Sequence, residues 1–188
     1  RGFTIRTANA ADTLSILRIA DDQLGTGYVD HESVASVEGT CGFSLVAELD
    51  GEVVGFAFCL RLDRDEAAKM TRQSAPRYLR YADTVGVIKT VAVTKRLQGR
   101  GVGSALAQAS IERFRAEGTR ALFSIAWKTD SGINIAGVLE GQGFSQVAEI
   151  PGYWREDSLD SSFECPECGT PPCECAAVIY SHVLTATS

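Results

Sequence analysis

Apolar positions along the chain recur with two periods, and each change of period marks an element. Phe3-Thr4-Ile5-Arg6 alternates and predicts a short strand. Asn9 and Asp12 offer capping groups to a helix carrying Leu14, Leu17, Ile19 and Ala20, which stops at Gly25-Thr26-Gly27. A second short helix is expected around Ser33–Val37. Ser44–Leu49 and Val53–Phe58 are apolar runs separated by Asp50-Gly51, a hairpin signal because glycine accepts the positive φ such turns require. Residues 61–80 are charged and irregular, and Pro76 argues against a continuous helix, so a surface excursion is expected there.

Thr84–Val93 is rich in Val, Ile and Thr and predicts a buried strand. It runs into Gln98-Gly-Arg-Gly-Val-Gly103 and then into a helix whose stripe is Leu106, Ala107, Ile111 and Phe114, ending at Gly118. Ala121–Ala126 is the next strand, Ile133–Leu139 a short helix, and Phe144–Ile150 and Ala176–Leu184 two further strands. This order predicts one α/β (α+β) domain over residues 1–188, with a mixed, mostly antiparallel sheet and helices on both faces. Residues 156–175 form a Cys-rich insertion between the last two strands.

The chain has 188 residues, 45% hydrophobic and 22% charged, enough for one real core and too apolar for disorder. No apolar run approaches the roughly 18 residues of a membrane span. Arg1-Gly2-Phe3-Thr4-Ile5 has no signal-peptide anatomy, so a cytoplasmic location is expected, with no membrane partner. The net charge of −6 argues against nucleic acid as a partner. A monomer or a homodimer is compatible with this chain.

The turn after the central strand suits a phosphate-bearing ligand. Helix N-termini expose unpaired N–H groups and a positive dipole end, and glycines let an anion approach the backbone. Lys95, Arg96 and Arg100 add positive charge nearby. A plain strand-to-helix turn is the alternative. Gly99-Arg-Gly-Val-Gly-Ser104 departs from a dinucleotide fingerprint at its sixth position, and the lysine of a P-loop is absent.

Gln98-x-x-Gly101-x-Gly103, preceded by Val91-Ala92-Val93, resembles the acetyl-coenzyme A loop of the GNAT superfamily of N-acetyltransferases. Gly143-Phe144 after the last helix and the order of elements resemble that family too, over nearly the whole chain except 61–80 and 156–175. The resemblance implies a sheet splayed between the Thr84–Val93 and Ala121–Ala126 strands. It implies acetyl-coenzyme A as cosubstrate and a small-molecule or protein amine as acceptor, attacked directly in a ternary complex. The amides of Gly99, Arg100, Gly101, Val102, Gly103 and Ser104 would hold pyrophosphate, beside Gln98. The backbone of Val91, Ala92 and Val93 would pair with pantetheine, and Asn134 would bond the same arm. An amide near Val93 would serve the oxyanion.

Two catalytic positions of the family are lost. Val87 stands where one branch carries a glutamate base, and Leu139 where a tyrosine acid is common. Asp83 and Tyr180 are the catalytic candidates that remain, with Tyr153 a second possible hydroxyl. Asp83 reads more simply as a strand-start turn residue, and Tyr180 as a core or rim aromatic. His31 reads as a surface residue and His182 as a packing histidine.

Four of the six cysteines crowd into Cys165-Pro-Glu-Cys168-Gly-Thr-Pro-Pro-Cys173-Glu-Cys175. Four thiolates make a complete tetrahedral set for zinc, and C-P-x-C-G is a knuckle turn. Two disulfides and an iron site are the alternatives. A closed four-thiolate site leaves no open position, so the metal would be structural, stapling an insertion that walls the acceptor pocket. Glu156, Asp157, Asp160, Glu164, Glu167 and Glu174 lie in or beside it, which points to a cationic acceptor, or else to a solvated acidic loop. Cys59 reads as a buried small hydrophobe, and Cys41 has no assigned role. A coenzyme A-binding module without catalysis and a zinc-knuckle adaptor are the rival functions.

Overall fold

The structure, a computed structural model, describes residues 2–30, 34, 41–72 and 82–184. The expected helix at 33–37 and His31 lie outside the described residues. The elements in chain order are β1 (Thr4–Thr7), α1 (Thr13–Leu24), β2 (Gly42–Leu49), β3 (Glu52–Leu62), α2 (Arg64–Met70), β4 (Val85–Val93), α3 (Val102–Ala116), β5 (Ala121–Thr129), β6 (Gly132–Ile133), α4 (Ala136–Gly141), β7 (Ser145–Ile150), α5 (Arg155–Ser161) and β8 (Ala176–Val183). One eight-stranded sheet runs β1-β2-β3-β4-β5-β8-β7, with β6 paired to β5. Every pair is antiparallel except β4 with β5.

Alternation sorts the central strands onto two faces. Leu45, Ala57, Ile88 and Leu122 pack with Leu106 and Phe114 of α3 and with Leu139 of α4. On the other face Val46, Phe56 and Phe58 pack with Ile16, Ile19 and Ala20 of α1. Farther along that sheet Val85, Val87, Phe123 and Ile179 join Ala67 of α2. Helices on both faces explain why β3 is almost continuously apolar. The β2–β3 turn has Asp50 at φ 51° and Gly51 at φ 82°, the two positive torsions anticipated from Asp-Gly.

Two local expectations are corrected. The strand after the hairpin continues to Leu62, and α2 follows within the segment read as an irregular excursion. Asp63 starts that helix with a reciprocal box: its Oδ1 accepts from Glu66 N at 2.8 Å, and Glu66 Oε2 accepts from Asp63 N at 2.9 Å. Ala67, buried in the cluster under β4 and β5, anchors the turn. Ile133 is not helical either; it pairs with Lys128 in β6, and the helix begins at Ala136.

The insertion between β7 and β8 has its own small core of Trp154, Phe163, Cys165, Cys173 and Ala177. It is fastened to the end of α1. Glu164 N donates to Thr26 O at 3.1 Å, and the rings of Tyr28 and Phe163 meet edge to face at 5.2 Å. Gly25 is required there, because a Cβ would overlap the Glu164 carbonyl oxygen. No helix among the described residues is long and apolar enough to cross a membrane.

Candidate active site

β4 and β5 pair only over Val85–Ile88 and Ala121–Ser124. Beyond Ser124 the strand β5 leaves β4 and pairs with β8 and, at its end, with β6, while Val91, Ala92 and Val93 keep their β3 partners Ala57, Phe56 and Gly55. The β5-facing edge of β4 is therefore open from Lys89 onward. Ser124 Oγ donates to Ile88 O at 2.7 Å at the apex of this V, in a buried position. A cavity of about 700 Å³ fills the opening.

The glycine turn forms one end of that cavity. Gln98, Gly99, Gly101, Gly103 and Ser104 line it. Gly99 and Gly101 have φ of 72° and 83°, which favour glycine. The first amide of the turn with a helical acceptor is Ala105 N, bonded to Gly101 O at 3.0 Å. Gly101 provides no side-chain cap, so the amides of Val102, Gly103 and Ser104 are donors at the positive end of a 15-residue helix. The Val102 side chain itself is buried in the core, and Arg100 is exposed outside the lining. Gln98 ties the turn together: its Nε2 donates to Val93 O at 3.1 Å and to Gln23 Oε1 at 2.6 Å. Of the nearby cations, Arg96 is paired with Glu52 at 2.6 Å.

Val91, Ala92, Val93 and Asn134 also line the cavity. Asn134 does not cap α4; the cap position is Ile135, a β-branched residue held at φ 64° that lines the cavity beside it. That torsion is strained for such a side chain.

The far end is aromatic and holds the cysteines. Tyr28, Trp127, Trp154, Phe163, Cys165 and Cys173 face the same cavity. The ligand atoms of Cys165, Cys168, Cys173 and Cys175 all lie within 4.8 Å of one another. A tetrahedron of Zn–S bonds near 2.3 Å places sulfurs about 3.8 Å apart. The separations here are 3.8 Å for Cys165–Cys175 and 3.4 Å for Cys168–Cys175, so the donor set fits zinc. Cys168 N and Glu174 N point at the sulfurs of Cys165 and Cys168 at 3.5 and 3.4 Å, as a knuckle requires. The four thiols are not joined as disulfides.

The two catalytic candidates are not brought here. Asp83 is exposed before β4, at the end where β4 and β5 are still paired. The Tyr180 hydroxyl bonds Glu140 Oε1 at 3.2 Å, and its ring belongs to the core under α3 and α4. Burial and the Glu140 charge both raise its pKa. The Tyr153 hydroxyl is likewise taken, donating to Met70 O at 2.7 Å. His182 packs on Phe144, with its pKa lowered by burial. Cys59 is a core residue whose thiol burial pushes up to about 12. No carboxylate or imidazole lines the large cavity among the described residues.

Sequence reasoning missed Lys89 and Tyr28. Lys89 reads as one polar position in a buried strand, and that interruption was its signal. It is the extra residue of a β-bulge, where the register passes from Phe58–Thr90 to Cys59–Ile88. Burial lowers its ammonium pKa, with Asp157 and Asp30 opposing the shift. The acids of the insertion do not line the large cavity, and Asp157 alone borders a smaller chamber beside it. Glu174 pairs with Arg155, and Glu156 lies 4.0 Å from Arg72.

Residues 15–143 match the family model described as acetyltransferase (GNAT) family. No curated protein matches the sequence. Among solved structures, NAA60 from Arabidopsis thaliana, in complex with a bisubstrate analogue, is similar at TM-score 0.72 and 14% identity, covering 98% of this chain and 99% of that one. Ard1 from Thermoplasma volcanium gives TM-score 0.68 and 22% identity, with coverage of 98% and 100%. The ribosomal-protein-S18-alanine N-acetyltransferase from Escherichia coli gives 0.68 and 14%, with coverage of 99% and 96%.

Proposed function

Since the chain belongs to the GNAT acetyltransferase family, we propose that it moves an acetyl group from acetyl-coenzyme A to a primary amine by direct attack in a ternary complex. The observation that carries this is the continuity of one cavity from the amides at the start of α3, along the open edge of β4, to an aromatic chamber. Pyrophosphate oxygens suit the amides of Val102, Gly103 and Ser104 and the cradle of Gly99 and Gly101. The pantetheine arm suits the free edge at Val91–Val93, pairing as an added strand, with the Asn134 amide in reach. Lys95 and Arg100 supply long-range attraction for the anionic cosubstrate.

In the transfer, the neutral amine nitrogen attacks the thioester carbonyl carbon. A C–N bond forms and the C–S bond breaks. The nitrogen loses a proton and the departing thiolate gains one. With no carboxylate or imidazole among the described lining residues, the rate rests on positioning the two substrates, supported by a β4 amide near Val93 at the oxyanion. The acceptor is a small-molecule amine or a protein amine entering at the aromatic end.

Cys165, Cys168, Cys173 and Cys175 hold one zinc ion in this reading. Its chemistry would be structural: it would offset half the charge of four thiolates and fix their positions, keeping Phe163 and Trp154 in the cavity wall.

The test measures coenzyme A binding by calorimetry and, separately, acetyl gain by mass spectrometry over a panel of amines. Binding with turnover of at least one amine is expected. Binding without turnover of any amine would establish the binding module instead, and absence of binding would leave a zinc-knuckle adaptor.

A further inference from the structure

Lys89 is the one cationic side chain among the described residues that line the large cavity. It also lines a second chamber of about 400 Å³ that shares Tyr28, Thr90, Ile125, Trp154 and Phe163 with the first. It therefore stands at the junction where an acceptor must pass to reach the open edge of β4. The bulge puts it there. An extra residue without a cross-strand partner re-aims its side chain at the point where β4 leaves β5.

Its environment is that of a cation awaiting a counter-ion. Its surface is open to the cavity, yet the surrounding walls crowd it enough to desolvate the ammonium. Among the described residues no carboxylate lies within ion-pairing distance of it; Asp157 and Asp30 act on it only through space. Asp157 is exposed on α5 and borders only the second chamber, and of the cysteines Cys165 and Cys173 border only the first. An exposed carboxylate at the rim attracts weakly, whereas an ammonium partly shielded by the cavity walls gains more from an anion brought against it.

Resting on the acetyltransferase reading above, we infer that the acceptor is a primary amine that also carries a carboxylate, which the Lys89 ammonium holds while the aromatic walls hold the carbon skeleton. Such an acceptor carries an anionic group that the purely cationic acceptor suggested by the acidic insertion lacks. Lys89 is a specificity-determining residue in this scheme and takes no proton in the transfer.

The test uses pairs of amines that differ only in the carboxylate: phenylalanine with phenethylamine, tryptophan with tryptamine, leucine with isoamylamine. Each is titrated into the coenzyme A-saturated full chain, and kcat and KM are measured with acetyl-coenzyme A. In at least one pair the carboxylate member should bind and react about ten- to a hundredfold better, the range of one charge-assisted hydrogen bond. Lys89→Met should remove that ratio by raising KM for the carboxylate member alone, and Lys89→Arg should restore much of it. A preference for the decarboxylated amine in every pair overturns the inference. So does a Lys89→Met variant that lowers kcat equally for both members, which would place Lys89 in the chemistry. If neither member of any pair binds while coenzyme A does, the acceptor class is wrong and the acetyltransferase reading stands. Failure to bind coenzyme A overturns that reading itself.

Discussion

The Ser124 hydroxyl donates to the Ile88 carbonyl at 2.7 Å, across the last pair of residues that β4 and β5 share. Below this bond the strands are a parallel ladder, and above it they are the walls of the cavity. The bond closes the apex of the V and satisfies a buried acceptor. Ser124→Ala removes this hydrogen bond, at a cost of about 0.5–1.5 kcal/mol. A lower denaturation midpoint with an unchanged m-value is expected, together with a raised KM for acetyl-coenzyme A. Unchanged values of both would show that the apex does not depend on this bond.

Gly101 is the second fixed point. Its φ of 83° is costly for any other residue, although a Cβ there meets nothing within 4 Å. Gly101→Ala therefore tests backbone geometry alone, at about 1 kcal/mol. Gly101→Asp adds a negative charge beside the donors of α3. Calorimetry should show coenzyme A binding weakened by the alanine variant and abolished by the aspartate variant, with the zinc content of both unchanged. Wild-type affinity in Gly101→Asp would refute the pyrophosphate assignment.

The residues that made the glycine turn and the cysteine cluster legible are short-range signals. Gln98-x-x-Gly101-x-Gly103 and C-x2-C-x4-C-x-C carry their chemistry in spacing, and the Asp50-Gly51 turn carries its torsions in composition. Asp63-x-x-Glu66 was an equally local signal for α2, obscured by the charge around it. The reach of Asp83 depends on which half of β4 is paired with β5, and the placement of Tyr180 on the register of β8 against β5, both long-range facts. Lys89 depends on a bulge, which shifts the register by one residue and cannot be read from alternation. The insertion's acids illustrate the same limit: their number is in the sequence, and their direction is set by partners such as Arg155 and Arg72.

An ion-pair cluster outside the cavity contributes to the acid sensitivity of the fold. Arg6 reaches Asp12 through two nitrogens at 2.7 and 2.9 Å and Glu48 through a third at 2.8 Å. Asp12 also accepts from Asn9 N at 2.8 Å and is nearly buried. The Arg6 hydrogen bonds hold the Asp12 carboxyl below its ordinary value, against the opposing effect of burial. A folded-state pKa lower than the unfolded one contributes stability above the unfolded value of about 3.9, and that contribution is lost as pH falls through the folded value. Urea denaturation should therefore show Asp12→Asn less stable than wild type by about 1–3 kcal/mol at pH 7. The gap should close progressively below about pH 4. A gap independent of pH would mean that packing, not charge, carries the contribution.

Removing the metal should separate the two ends of the cavity. The cysteines share one small core with Trp154 and Phe163, and Phe163 meets Tyr28. All three aromatic residues line both chambers, while the glycine turn is built on β4 and α3. One zinc per chain is expected by elemental analysis, and Cys173→Ser should lower that content. Zinc present at a hundred times its dissociation constant stabilises the folded chain by about 2.7 kcal/mol. For a chain of this size that is roughly 5–10 °C in Tm. Chelation should therefore lower Tm by that order and shift tryptophan fluorescence, since Trp154 is in the affected core. It should also raise KM for the acceptor far more than it weakens coenzyme A binding. Equal losses at both ends would show that the metal holds the whole domain together and not the acceptor wall. A chain that carries no zinc, with Tm insensitive to chelator, would remove the staple from the fold altogether.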